Sequence, residues 1–253
     1  MKPWAGQAAA SFATYRLIFS KCGPTRWLGH LDVMRTFERA FRRCAVPVAL
    51  TQGFNPRPRL RFVLPSAVGV AARADVLFAD VESKSDPIQS EGVADPAISI
   101  ECLNATLPAG LRVHSVQRID AAERRTALHA YRFALYRVEF ECMRPIAQER
   151  FHQAILELRQ QPAVVVADPV RGAPREVQLD RYLVDMILEE PRDGRFSVRF
   201  TASFGQDGTL RPMDTATMIA ERLPGLELVS LERLALTAEV PDPGLAATEK
   251  DTH

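Results

Sequence analysis

Apolar and polar positions along this chain alternate in two periods, and the two periods recur in the same order in each half. Tyr15–Ser20 (YRLIFS) alternates with period two and predicts a strand. His30–Cys44 carries apolar residues at helical spacing. Pro47–Leu50 is a short extended run, and Leu60–Leu64 and Val76–Val81 are two further strand segments. Asp95–Leu107 has helical spacing at Ile98, Cys102 and Leu103, and Leu107-Pro108-Ala109-Gly110 ends it. Leu111–Arg118 alternates again.

The second half opens with Tyr131–Glu141, a long alternating strand. Pro145–Gln160 predicts a helix with proline in its first turn. Val164–Val166 is an apolar strand core, and Val177–Leu188 fits either a strand or a helix. Arg195–Ser203 predicts a strand, Pro212–Leu223 a helix and Leu226–Leu236 a closing strand. Each half therefore runs strand, helix, strand, strand, helix, strand. That order predicts an α+β protein of two tandem ferredoxin-like units, antiparallel sheets with helices packed on one face. The expected division is a disordered N-terminus over 1–12, a first unit over 13–119, a charged Ala-rich linker over 120–130, a second unit over 131–239 and a disordered tail over 240–253.

On a helical wheel, Val33, Met34, Phe37, Ala40, Phe41 and Cys44 share one arc of His30–Cys44. Asp32, Arg35, Arg39, Arg42 and Arg43 share the opposite arc, with Glu38 at the boundary. Asp32 in the first turn and Arg42 and Arg43 in the last complement the helix dipole. A well-capped, solvated helix face would need no more than this. The excess is what points to a ligand. Between Arg26 and Arg61 stand eight arginines, no lysine and two acidic residues, while the whole chain carries a net charge of only +1. Arginine offers a planar fork for bidentate phosphate contacts and a flat face for stacking.

Thr51–Pro58 reads TQGFNPRP. Pro56 and Pro58 stiffen this loop, and Gly53 permits a positive φ. Phe54 beside Arg57 and Arg59 is the combination a single-stranded nucleic acid uses, a ring to stack on and charge for the backbone. The alternative is that Phe54 plugs the sheet edge and the prolines only shape a turn. Farther on, Arg211 precedes Pro212 at a helix N-terminus, where backbone N–H groups favour anions.

The run HLDVMRTFERAFRRC, followed by Pro47, by GFNPRPRLRF at 53–62 and by Leu64-Pro65 and Gly69, resembles the uncharacterised radical SAM-associated protein family. This is a domain of unknown function found alone or attached to B12-type radical SAM proteins. Weaker matches follow at Leu103-Asn104, Leu107–Leu111, Asp180-Arg181-Tyr182 and Leu210-Arg211-Pro212. The family's S-x-x-E-Y segment after the glycine is replaced here by Val70–Leu77, which lacks the acidic position. The resemblance implies a radical SAM protein as partner. The chain has no C-x-x-x-C-x-x-C to hold a cluster, so it is not itself the radical enzyme.

His30 is the one candidate for general acid–base chemistry. It stands two residues from Asp32, a separation that points the two side chains to different sides of a regular helix. No G-x-S-x-G, Walker loop or G-x-G-x-x-G is present. Four cysteines without a C-x-x-C read as buried free thiols, and neither a metal nor a cofactor is expected. No apolar run approaches a membrane span, and a cytoplasmic location is the default expectation.

Three functions remain open from the sequence. One is a non-catalytic accessory protein that binds RNA or another anion through Arg35, Arg39, Arg42, Arg43, Phe54, Arg57, Arg59 and Arg211, in RNA metabolism or modification with a radical SAM enzyme. The second is a module that docks on such an enzyme without RNA. The third is an RNA-processing or RNA-modifying enzyme using His30.

Overall fold

The computed structural model describes residues 12–65, 67–82, 98–120, 122–167, 173–191 and 194–241. Of the ends expected to be disordered, 1–12 and 240–253, residues 1–11 and 242–253 lie outside the described residues, and Phe12 opens the first strand. The chain divides into two compact units, Met1–Val68 with Ala74–His129, and Gly69–Arg73 with Ala130–His253.

In the first unit the elements follow as β1 (Phe12–Lys21), a 3-10 turn (Gly23–Trp27), α1 (His30–Arg43), β2 (Leu60–Phe62), β3 (Ala71–Glu82, whose first three residues belong to the second unit), α2 (Ile100–Thr106) and β4 (Leu111–Ile119). The strands lie in the order β4, β1, β3, β2. β4 is antiparallel to β1 from Lys21 opposite Leu111 to Thr14 opposite Ile119, and β2 is antiparallel to β3. One face of this sheet presents Ala13, Tyr15, Leu17 and Phe19 from β1 and Leu77, Ala79 and Val81 from β3. Alternation along a strand sends these residues to one side. They form a core with Val33, Phe37, Ala40 and Phe41 of α1 and Leu103 of α2. α2 is shorter than its apolar spacing suggests. It starts at Ile100 because Ser99 caps it, its hydroxyl accepting from the Cys102 N–H. Residues 95–97 lie outside the described residues.

After β4 come a 3-10 turn at Glu123–Arg125 and one turn of helix, α3 (Ala127–Ala130).

The second unit contains β5 (Phe133–Cys142), α4 (Gln148–Gln160), β6 (Ala163–Val166), β7 (Arg175–Gln178), α5 (Leu179–Tyr182), β8 (Leu183–Leu188), β9 (Arg195–Gly205), β10 (Gly208–Thr209), α6 (Pro212–Arg222) and β11 (Leu226–Thr237). β5 lies between β11 and β9, antiparallel to both, and β8 and β10 pair with β9. Tyr136 stacks on Phe200, and Phe151 of α4 stacks on Phe196 at 4.5 Å, which seats α4 on the apolar face of this sheet.

Several expectations need correction. α4 begins at Gln148 with Ala147 as N-cap, so Pro145 precedes the helix and does not sit in its first turn. The Val164–Val166 segment pairs with β7 in a separate two-stranded sheet. The ambiguous Val177–Leu188 segment is strand, a turn of helix and strand again. Pro47–Leu50 makes only isolated bridges, from Val48 to Val81 and from Leu50 to Pro58. The sheet is mixed and not purely antiparallel: Ala71 and Ala72 at the start of β3 run parallel to Glu232 and Arg233 of β11. Finally, Cys44 and Cys102 are joined by a disulfide, which Cys22 and Cys142 do not share. The fold class is α+β, with a large mixed sheet and helices.

Candidate functional site

The apolar arc of α1 decides where its arginines point. Val33, Phe37, Ala40 and Phe41 are buried. Phe37 packs edge-on against Phe19 at 4.9 Å and against Phe62 at 6.1 Å. Burying four such side chains contributes roughly 1.5–3 kcal/mol for each large one, far more than any surface pairing on the opposite arc. Arg35, Arg39, Arg42 and Arg43 are therefore held outward, and all four are exposed. Arg35 pairs with Asp32 at 3.8 Å, and both side chains are more than half exposed, a pairing worth little in water. Arg39 donates to Thr36 Oγ1 at a long 3.4 Å. Among the described residues, Arg42 and Arg43 have no carboxylate partner. The Cys44–Cys102 disulfide ties the end of α1 that carries them to α2.

The Thr51–Pro58 loop closes on itself. The Thr51 N–H donates to the Arg57 carbonyl at 2.8 Å, and the Arg57 N–H donates to Thr51 Oγ1 at 3.0 Å. At its foot the Arg59 N–H donates to the Ala49 carbonyl. Gly53 takes φ 140°, a conformation that L side chains rarely adopt. Phe54 at the tip has a relative exposure of 102%, so it does not plug the sheet edge. Arg57 beside it is exposed too. Among the described residues, no hydrogen bond, ion pair or ring contact joins the loop to the polar arc of α1.

Arg59 and Arg61 are tied elsewhere. Arg61 donates to Asp80 Oδ1 at 2.8 Å, Arg59 lies 3.9 Å from Asp80 Oδ2, and the Thr14 hydroxyl donates to the same carboxylate at 2.7 Å. The Arg59 guanidinium also lies 4.7 Å from the centroid of the Phe12 ring, with Arg124 at 4.2 Å from the same centroid. Arg59 thus has structural partners that Arg42 and Arg43 lack. His30, the first residue of α1, sets its ring edge-on against Phe62 at 5.1 Å. Arg211 belongs to the second unit, where it is the exposed N-cap residue of α6. The first turn of that helix already holds a carboxylate, Asp214, which pairs with Arg175.

Three residues with site character were missed. Asp80 interrupts the apolar run Val76–Val81 of β3, where it is buried as Asp75 just before the run is, and an acid inside such a run is a legible signal. Lys21 is fully buried, its ammonium donating to the carbonyls of Ala67 at 2.8 Å, Arg26 at 3.2 Å and Leu28 at 3.3 Å. Trp27 is exposed, with the Arg26 guanidinium over its ring at 5.1 Å. Among the described residues, no three His, Cys, Asp or Glu side chains converge as metal ligands, and no helix is long and apolar enough to cross a membrane.

The model of the family described as an uncharacterized protein conserved in bacteria (DUF2344) matches residues 14–212. The chain belongs to that family. The match takes in α1, the proline–glycine loop and Asp80, and it reaches the start of α6. No curated protein sequence matches the chain. Among solved structures, it is similar to a chain of a Cbf5–Nop10–Gar1 complex, at 10% identity over 89% of this chain and 49% of that one, with a TM-score of 0.48. It is also similar to a chain of the archaeal box H/ACA sRNP Nop10–Cbf5 complex, at 10% identity over 90% and 49%, with a TM-score of 0.46. It is similar as well to an unknown protein from Galdieria sulphuraria, at 12% identity over 89% of this chain and 100% of that one, with a TM-score of 0.26. The chain spans about half the length of the first two of these structures.

Proposed function

We propose that this DUF2344 protein is a non-catalytic accessory protein that binds RNA through the outward face of α1. The observation that carries the reading is the row Arg35, Arg39, Arg42 and Arg43, all exposed on one buried-backed helix, with the last two lacking any carboxylate partner among the described residues. In a chain of net charge +1, such a row is a local concentration of guanidinium groups suited to phosphates. Phe54 and Arg57 on the projecting loop add a ring and a further charge. The packing of His30 on Phe62 supports a positioning role for that residue over an acid–base one.

The strand order β4-β1-β3-β2 in the first unit, and β11-β5-β9-β8 in the second, supports reading each as a ferredoxin-like unit, the second with β6, β7 and α5 inserted. The resemblance of the His30–Gly69 stretch to radical SAM-associated proteins supports work beside such an enzyme, in RNA metabolism or modification.

The test is RNA affinity as a function of salt. The wild-type protein should bind RNA at low salt, with log affinity falling linearly as log salt rises. The variant Arg35→Ala/Arg39→Ala/Arg42→Ala/Arg43→Ala should bind at least about tenfold more weakly with a shallower slope. Equal affinity and equal slope would sink the proposal.

A further inference from the structure

We propose that Trp27 is a base-stacking platform and that the nucleic acid held by α1 is therefore single-stranded. This rests on the RNA reading above and adds to it a site and a ligand class.

Trp27 ends the 3-10 turn just ahead of α1 and is 61% exposed. Leu31 and Val68 are exposed as well, at 55% and 58%. The segment that carries Val68 comes up against the one that joins Trp27 to Leu31. A Cβ on Gly29, which lies between Trp27 and Leu31, would stand 3.7 Å from Val68 Cγ2. The same Cβ would stand 3.6 Å from Asp32 Oδ2, so exposed apolar side chains and polar groups share these two segments, the mix that marks interaction sites on soluble proteins.

The backbone of these two segments is fixed. Lys21 is completely buried, and its ammonium donates to Arg26 and Leu28, on either side of Trp27, and to Ala67, next to Val68. A buried ammonium is costly unless its donors are satisfied, so these carbonyls are held firmly. A second anchor sits at the start of the turn. The Cys22 N–H donates to the Gly110 carbonyl at 2.8 Å, and the Thr25 hydroxyl donates to the Cys22 carbonyl at 2.7 Å. An exposed ring on an already ordered backbone loses little freedom on binding.

The chemistry around the ring favours a nucleotide. Arg26 lies over the indole, so a flat π surface and a cation stand together. Arg35, on the turn of α1 that follows Leu31, continues the positive charge along the helix. A base can stack on the indole while its phosphate meets a guanidinium. Bases inside a duplex are already stacked and out of reach, so this arrangement selects single strands.

The experiment compares full-length wild-type, Trp27→Ala and Trp27→Phe proteins, titrated at low salt against fluorescein-labelled oligouridylate of twelve nucleotides and a twelve-base-pair RNA duplex. Trp27→Ala should lose about five- to a hundred-fold in affinity for the single strand, the range one stacked base carries, with duplex affinity unchanged. Trp27→Phe should keep most of it. In a Trp4→Phe background, oligouridylate should quench the remaining tryptophan emission. Unchanged single-strand affinity in Trp27→Ala, or equal losses on both ligands, would overturn the inference. So would a Trp27→Ala protein that keeps its RNA affinity but loses a co-purifying protein partner, which would assign Trp27 to protein docking. If the four-arginine variant loses RNA while Trp27→Ala does not, RNA binding stands and base stacking falls. If the wild type binds neither RNA, both fall.

Discussion

Arg61 donates to the buried carboxylate of Asp80 at 2.8 Å. The same carboxylate accepts from Thr14 and faces Arg59, so one acid on β3 holds together β1, β2 and the foot of the projecting loop. Replacing Asp80 by Asn leaves two arginines without their counter-charge. Asp80→Asn should cost about 1–3 kcal/mol, measured by urea denaturation, whereas Arg42→Ala and Arg43→Ala should each stay within about 0.5 kcal/mol. Equal costs for all three would show that Asp80 is no hub.

The disulfide between Cys44 and Cys102 closes a loop from the end of α1 to α2. Thiol titration of the denatured, unreduced protein should count two cysteines, Cys22 and Cys142, and four after reduction. Reduction, or the variant Cys102→Ser, should lower stability by about 2–4 kcal/mol. The arginines at the end of α1 give this a functional readout. RNA affinity should weaken on reduction if the bridge fixes their position, and only stability should change if it does not.

Gly110 is the position least able to accept a side chain. Its φ is +99°, and a Cβ there would come within 2.4 Å of the Cys22 carbonyl oxygen and 2.8 Å of Thr25 Oγ1. The close neighbour is backbone, which cannot swing aside. Gly110→Ala should destabilise the protein by about 2 kcal/mol or more, read from the shift in thermal midpoint. It should also change the emission of Trp27, because the turn carrying that ring rests on Gly110.

The pKa of His114 on β4 lies below the ordinary histidine value, first through desolvation and then through the nearby Arg112. The neutral imidazole is the favoured form in the folded state. At pH well above 6.5 both folded and unfolded chains carry a neutral ring, and the contribution of this group to stability is fully present. As pH falls below 6.5 the unfolded chain takes up the proton first, so stability declines through the window down to the folded value and then levels off. Titration followed by NMR should place the His114 midpoint below 6.5, and Arg112→Ala should raise it.

Local pattern made α1 legible. Its buried arc and its arginine arc follow from the spacing of Val33, Phe37, Ala40 and Phe41 alone. Alternation likewise located β1, β5, β9 and β11 to within a few residues. What escaped the sequence depends on partners far along the chain. Arg59 and Arg61 read as ligand-binding charge until Asp80 is placed beside them. Cys44 and Cys102 read as separate thiols until two helices bring them to a Cα separation of 5.9 Å. Trp27 carried no periodic signal, since exposure on a short turn is set by what the turn rests on. The first residues of β3, Ala71 and Ala72, lack the apolar run of Val76–Val81, and only pairing with β11 makes them a strand.

That last pairing bears on how the protein is made. Gly69–Arg73 belongs with the second unit although it lies within the sequence of the first, and Ala71 and Ala72 pair with Glu232 and Arg233 of the final strand. On the ribosome, where domains otherwise form in order from the N-terminus, this short segment must wait for almost the whole chain to be synthesised. Its backbone groups meet their β11 partners only when the last strand emerges. A chain terminated at the 120–130 segment would therefore leave the backbone groups of Ala71 and Ala72 without these partners, a strand segment open to pairing with other chains.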